Sequence, residues 1–225
     1  TYIAHNRTYD LTVNPMHFNQ NSGEQIMWEF IDPISQQRPT AVTADSVTLP
    51  EPFKKKKVDW HATAVVVDGK GMGQYRQVRD YQPKTGVVRV MRPWRVPPDT
   101  DSTVLICRTV NRQVVYDNHL DGKPRAYQHD GHIASIGVFP FGGAMELIVD
   151  GNTFTELRSG IGIHNKPHFN HLYQNNVVGP GRTSIKVGDK AEVVGIVARD
   201  NRIGRMLESA FLVGSRYGKE PSQVN

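Results

Sequence analysis

A short apolar run that ends in asparagine recurs along the chain and limits its fold more than any other feature. The run occupies residues 2–6, 114–118, 147–152, 172–176 and 196–201. The last two gaps between anchor asparagines are 24 and 25 residues, and Asn118 precedes Asn152 by 34, which is one period plus an insertion. A unit this small cannot bury its own apolar face, so the repeats are expected to stack on one another.

A second kind of run, small or glycine-rich on alternate positions, lies between the asparagines at residues 134–139, 159–164 and 209–214. No stretch of a dozen residues keeps a helical apolar stripe. The pattern predicts an all-β protein, a parallel β-helix with several strands per coil. Each asparagine is expected at the same corner in the left-handed backbone region, with its amide bonded to the neighbouring coils. An ordinary β-sandwich with asparagine turns stays open.

The asparagine-ended strands, the run Gly160-Ile161-Gly162-Ile163-His164 and the run 148–154 resemble right-handed parallel β-helix proteins of the pectate-lyase-like superfamily. The resemblance covers residues 110–215 and, less completely, 1–35. It implies a secreted or cell-surface protein, although no signal peptide is visible in the chain. That superfamily contains polysaccharide lyases, glycoside hydrolases, epimerases, phage tailspikes and non-catalytic adhesins, so it indicates architecture better than activity.

The period is interrupted between the first and the later coils. Five short β-branched runs separated by Gly and Pro turns lie at residues 41–49, 62–67, 75–80, 86–91 and 103–107. They predict a small antiparallel β-barrel or β-sandwich inserted into the solenoid. The predicted organisation is therefore a first coil or coils in 1–38, an inserted module in 39–108 and further coils in 109–225. The glycines of residues 69–73 predict a turn, because they lack the spacing and the following helix that a phosphate-binding loop requires.

The charge balance favours an anionic partner only mildly. There are 27 basic and 22 acidic residues, a formal net charge of +5. An acidic polysaccharide fits this charge, whereas nucleic acid is a poorer fit because the basic residues are scattered and form no known binding motif. No apolar run is long enough to span a membrane. One cysteine excludes an internal disulfide. No strong metal or nucleotide motif is present, so the cofactor is undefined and a calcium ion stays open.

The first candidate catalytic residues lie in the insertion between Asn118 and Asn152. Asp130 stands next to His129 and two residues before His132. A carboxylate beside imidazoles can form a general acid–base pair, with His129 contacting the substrate. The alternative is an Asp-Gly turn flanked by solvated histidines.

Further candidates follow from stacking, since outward side chains of successive coils would line one groove. Glycines 137, 160 and 162 would leave room there for a sugar chain, and Trp28 and Phe139 could stack on its rings. Elimination from a uronate polymer needs a base and a cation, and the candidate residues for these roles are His132, His164, Lys166 and Arg158. Hydrolysis needs two carboxylates, for which Glu24, Asp130, Asp150 and Glu156 are candidates, with Asp150 also expected as a turn residue.

Three histidines, at positions 164, 168 and 171, lie close enough in sequence for a loop to gather them around a metal. The alternative is a polar turn between coils. The function expected from all these features is polysaccharide binding, with cleavage by a lyase or glycoside hydrolase. The other class that fits is a non-catalytic structural or adhesive β-helix, such as a tailspike segment or bacterial surface protein.

Overall fold

The structure is a computed structural model, and it describes residues 1–11, 23–28, 33–53, 62–108, 111–128, 135–141, 144–164, 166–188 and 191–213. Within these residues the fold is all-β, with one short 3-10 helix at Ala126–Gln128 and no α-helix. The chain divides into two compact units. The first comprises Thr1–Glu29, Arg112–Glu192 and Ile196–Asn225, and the second comprises Phe30–Asn111 and Val193–Gly195.

The first unit is built from three five-stranded parallel sheets, and the chain passes through the three sheets in the same order five times. We call each pass a layer. Layer 1 is β1 (Tyr2–Ala4), β2 (Arg7–Leu11) and β3 (Glu24–Trp28). Layer 2 is β11 (Asn111–Tyr116), β12 (His119–Gly122) and β13 (Ile136–Pro140). Layer 3 is β14 (Ala144–Asp150), β15 (Thr153–Thr155) and β16 (Leu157–Ile163). Layer 4 is β17 (Lys166–Gln174), β18 (Val177–Val178) and β19 (Gly181–Val187), and layer 5 is β20 (Ala191–Arg199), β21 (Arg202–Ile203) and β22 (Met206–Val213).

The register between layers follows the period of the sequence. In the first sheet Val149 pairs with Tyr173, and in the third sheet Ile161 pairs with Ile185, so both steps are 24 residues. Equivalent residues therefore lie directly above one another. The predicted parallel stacking of repeated strands is confirmed.

The repeated asparagines form a continuous hydrogen-bonded ladder between the first and second sheets. Its members are Asn6, Asn118, Asn152, Asn176 and Asn201. At every step the side-chain Nδ2 donates to the Oδ1 of the next asparagine over 2.9–3.1 Å. The backbone N–H of the same residue donates to that oxygen over 3.0–3.1 Å. The three inner asparagines are at most 2% exposed.

The predicted backbone conformation of these asparagines is wrong. The left-handed residue is the one that precedes each of them: His5, Asp117, Gly151, Asn175 and Asp200, with φ between 49° and 66°. Placing the bend one residue earlier leaves the asparagine amide aimed along the stack. A second column of left-handed residues, at the same period, lies within the first sheet at Arg112, Glu146, Asn170 and Gly195.

The glycines expected to open a groove do not do so. A Cβ at Gly137 would lie 2.6 Å from the ring of Phe154, and one at Gly160 would lie 3.0 Å from Val178 Cγ1. Phe154 and Val178 are themselves buried. These glycines therefore admit core side chains of the second sheet, and the space beside them is already filled.

The second unit is an antiparallel sheet of seven strands in the order β4-β10-β7-β8-β9-β6-β5. The strands are β4 (Pro33–Gln37), β5 (Ala41–Val42), β6 (Ser46–Thr48), β7 (Ala62–Asp68), β8 (Tyr75–Gln82), β9 (Val87–Val90) and β10 (Thr103–Arg108). One apolar core holds the sheet together, including Val88, Ile106, Tyr81 and Trp94. The expected strand at 41–49 is instead the pair β5 and β6. Within the described residues β4 and β5 are the open edges, so no closed barrel forms.

The described ranges also bear on membrane spanning. There, no helix has the length and apolar character needed to cross a bilayer.

Candidate functional site

The structure brings three of the predicted site residues to the carboxyl ends of strands β3, β13 and β16. The His164 ring lies 6.2 Å from the Phe139 ring and 5.6 Å from the Phe141 ring. The Trp28 carbonyl accepts a hydrogen bond from the Phe141 N–H over 2.9 Å. Phe139 is only 9% exposed, so its ring is largely occupied by packing within the protein.

Glu24 and Arg158 lie at the opposite end of the same sheet. Glu24 begins β3 in register with Ile136, which pairs with Ser159 next to Arg158. His164 is five residues beyond Ser159, about 16 Å along a strand. These two charged side chains and the His164 imidazole therefore do not meet at one point.

The remaining candidates lie outside what the structure describes. His129, Asp130 and His132 fall between the described ranges 111–128 and 135–141. Lys166 is the first residue of β17, but its side chain is not described.

The three closely spaced histidines form neither a polar turn nor a metal site. His168 and His171 lie on strand β17 and are at most 1% exposed. His171 Nε2 lies 2.9 Å from the Ala144 carbonyl, and its Nδ1 lies 2.6 Å from the Tyr173 hydroxyl. Burial, with a smaller effect of His168, lowers the pKa of His171 to about 3. Both side chains are therefore part of the folded interior.

A different cluster is better placed for chemistry, on the outer face of the second sheet. Each ladder asparagine of layers 1 to 3 is followed by a triplet whose middle residue faces the core: 7–9, 119–121 and 153–155. Leu120 and Phe154, in the middle, are fully buried. Because side chains alternate along a strand, the flanking residues share the opposite face. We call this face the second-sheet patch; it comprises Arg7, Tyr9, His119, Asp121, Thr153 and Thr155.

The centre of the second-sheet patch is a histidine–aspartate pair. His119 Nε2 lies 3.1 Å from the Asp121 carboxylate, whose Oδ1 also accepts a hydrogen bond from the Thr155 hydroxyl. An ionised carboxylate only accepts, so Nε2 carries the proton and Nδ1 of the neutral ring keeps its lone pair. The side chains are 37% and 22% exposed, so solvent reaches both.

Neighbouring groups hold this pair in place and extend it. The Asp121 N–H donates to Thr8 Oγ1 over 3.3 Å, and the Asp121 carbonyl accepts from Gln25 Nε2 over 3.0 Å. Arg7 pairs in register with His119 on the adjacent strand, and its guanidinium lies 5.5 Å from the centre of the Tyr9 ring. The patch thus presents a base, a cation and an aromatic ring that is 62% exposed.

A calcium site would need about six to eight oxygen ligands around one point. Across the described part of the chain, no three His, Cys, Asp or Glu side chains converge on one point. The Asp121 carboxylate is already shared by His119 and Thr155. The second-sheet patch does not fit a calcium site.

The second-sheet patch is not predicted by the glycine-rich runs or by the closely spaced histidines, because its residues lie on other strands. The available signal was the polar–apolar–polar triplet directly after two of the asparagines, Asn118 and Asn152. Stacking the triplets in register places Arg7, His119 and Thr153 in one row.

A scan against models of protein families gave no match, and a search of curated proteins found none with significant similarity.

Proposed function

We propose that the first unit is a right-handed parallel β-helix of the pectate-lyase-like kind and that the second unit is a module inserted into it. Support comes from the three parallel sheets, the five layers and the ladder. The hand follows from the strong preference of parallel crossover connections for the right-handed form.

We further propose that this β-helix binds an acidic polysaccharide on the second-sheet patch. The observation that carries the proposal is the His119–Asp121 pair on one exposed face with Arg7 and Tyr9. The Arg7 guanidinium suits a sugar carboxylate, since it offers paired donors in a planar fork. The Tyr9 ring offers an apolar face with a polar tip for a sugar ring.

The reaction that this residue set would support is elimination from a uronate. Arg7 would neutralise the carboxylate, and His119 Nδ1 would take the proton from C5. The electron pair of that C–H bond would form the C4–C5 double bond as the C4–O4 bond breaks, and O4 would take a proton from water. Hydrolysis would need a second carboxylate beside Asp121, so elimination fits the patch better.

A second candidate function is a non-catalytic structural or adhesive β-helix. It is favoured by the hydrogen bond from Thr155 to Asp121, which joins two neighbouring strands. In that case the pair would fix the register of the sheet, and the patch would bind a glycan or nothing.

The test is depolymerisation of a panel of acidic and neutral polysaccharides, followed by chain length and by ultraviolet absorbance of unsaturated ends. We expect shortening of a uronate polymer with new absorbance, lost in His119→Gln and at least tenfold weaker in Arg7→Ala. Arg202→Ala is the matched control, because Arg202 is an exposed arginine of the same sheet in layer 5.

The other outcomes separate the alternatives. Shortening of the polysaccharide without new ultraviolet absorbance would indicate a hydrolase and contradict the proposed elimination. Retention by an acidic polymer on affinity electrophoresis, without shortening, would support binding alone. No shortening and no retention from folded protein would favour the structural role.

A further inference from the structure

The exposed apolar side chains of the first unit are concentrated at the two ends of its stack. Among the described residues of this unit, ten large hydrophobic residues are exposed, and eight of them lie in layers 1 and 5. They are Tyr2, Tyr9, Leu11, Met27, Val197, Leu207, Phe211 and Val213. The end layers therefore resemble inner layers from which a neighbour has been removed.

One column of the third sheet shows this change directly. Val138, Ile161 and Ile185 occupy equivalent positions in layers 2, 3 and 4 and are 0%, 1% and 6% exposed. Phe211 continues the column in layer 5 and is 52% exposed. Among the described strands, none pairs with the far edge of β22. Repeat stacks that stay monomeric usually carry a polar terminal repeat, and layer 5 does not have that character.

The asparagine ladder gives the stack a direction. In all four steps the lower-numbered asparagine donates and the next one accepts. The ladder therefore has an acceptor end, at Asn6 Oδ1, and a donor end, at the N–H and Nδ2 of Asn201. The two ends complement each other, whereas neither complements a copy of itself.

We propose that the occupant of these ends is a second copy of this chain, with layer 5 of one copy stacked head-to-tail on layer 1 of the next. Asn201 would donate to Asn6 of the next copy and extend the ladder without a change of period. Phe211 would cover Ile26 of the next copy, and Val213 would cover its Trp28, because these residues share columns of the third sheet. A head-to-tail contact of this kind does not close, so it generates an open series of oligomers. This inference does not depend on the proposed polysaccharide function.

The charged residues at the two ends determine how the proposed association depends on salt. Asp200 would lie beside His5 of the next copy at the outer corner, a favourable pair. Arg202 would lie beside Arg7 of the next copy, because Arg7, His119, Thr153, Val177 and Arg202 form one row. Salt screens this repulsion. Salt also screens the attraction between Asp200 and His5, so the two effects oppose each other and we expect association to depend only weakly on sodium chloride.

The experiment is sedimentation velocity of the full chain over a wide concentration range. We expect the average mass to rise through dimer and trimer without a plateau. Phe211→Asp blocks the donor end and Met27→Asp blocks the acceptor end, and each should weaken self-association at least tenfold. An equimolar mixture of the two variants should form a heterodimer that stops growing, because one intact end remains on each partner. The matched control is Val177→Asp, an equally exposed apolar position in layer 4.

Each other outcome overturns the proposal. One such outcome is a folded wild-type chain that stays monomeric at every concentration. A second is a wild-type dimer that does not grow further. A third is a loss of self-association in Val177→Asp as large as that in Phe211→Asp. Circular dichroism checks the fold of every variant. If Phe211→Asp does not fold, Val213→Asp replaces it, since Val213 is 78% exposed.

Discussion

The two units bury different chemistry in the same kind of secondary structure. Of the twelve buried polar side chains among the described residues, ten belong to the first unit: Gln113, Asn118, Ser135, Asn152, Ser159, His168, His171, Asn176, Thr183 and Ser184. The core of the antiparallel sheet consists of Val, Ala, Leu and Ile with Tyr81 and Trp94.

The difference follows from how each unit repeats. In the parallel layers a ladder asparagine meets its own equivalent about 4.8 Å above and below, so each buried ladder amide finds a partner in the next layer. The antiparallel sheet has no such repetition, and a buried amide there would go unpaired at a cost of about 1–3 kcal/mol. Specific hydrogen bonds therefore hold the first unit in register, while apolar packing holds the second.

The largest expected effect is that of Asn152→Ala, in the middle of the ladder. The substitution removes the acceptor for Asn118 and leaves the Val115 carbonyl without its 2.9 Å donor. Because these groups are buried, we expect a loss of about 3–5 kcal/mol in the free energy of unfolding of the first unit. Urea unfolding followed by circular dichroism measures this loss, and hydrogen exchange locates it.

The control for Asn152→Ala is exchange in the second unit. Amides of strands β7 and β10 should keep their wild-type protection, since the two units have separate cores. Equal loss of protection in both units would contradict the division between them.

A somewhat smaller effect is expected from Ile106→Ala in the antiparallel sheet. Ile106 is fully buried in the apolar core. Removing its outer carbons leaves a cavity and should cost about 2–4 kcal/mol, with Ile106→Val costing about 1 kcal/mol. If apolar packing holds the sheet, the loss in the free energy of unfolding should be larger for Ile106→Ala than for Ile106→Val. Hydrogen exchange of the amides in β7 and β10 measures this loss. A loss that did not grow with the volume removed would argue against apolar packing.

The third expected effect is acid sensitivity of the first unit through His171. Its pKa is about 3 in the folded protein, against an ordinary value of 6.5. Below pH 6.5 the unfolded chain binds a proton that the folded chain does not, so stability falls as the pH falls toward 3. At pH 5 the loss amounts to about 2 kcal/mol.

The measurement is Tm against pH for wild type and His171→Gln. The variant should show a flatter dependence between pH 7 and pH 4, whatever its absolute Tm. His119→Gln is the control, because His119 is 37% exposed. An unchanged slope in His171→Gln would show that another group carries the acid response.

Much of the fold could be predicted because its cause is local and repeated. The spacing of Asn152, Asn176 and Asn201 predicts parallel stacking, and turn residues locate most strands of the insertion. The left-handed position was misplaced by one residue, because a pattern of residue types does not show which of two corner residues makes the bend. The role of Gly137 was also misjudged, because it depends on Phe154, which reaches it from another sheet.

The candidate site was harder to predict for the same reason. His119 and Asp121 become a pair on a shared face only when strand alternation is combined with register against Arg7 and Thr155. Burial of Phe139, His168 and His171 is likewise set by tertiary packing. Residue types that bind metals or sugars on a surface serve here as interior groups.

The smallest effect should come from Asn6→Ala, at the end of the ladder. Asn6 makes the same bonds to Asn118 as the inner members make to their neighbours, but it is exposed and water can replace them. We expect a loss below about 1 kcal/mol in dilute solution. A loss equal to that of Asn152→Ala would show that ladder strength does not depend on burial. If copies stack end to end, Asn6 becomes an inner member, so its substitution should cost more as protein concentration rises, while the cost of Asn152→Ala stays constant.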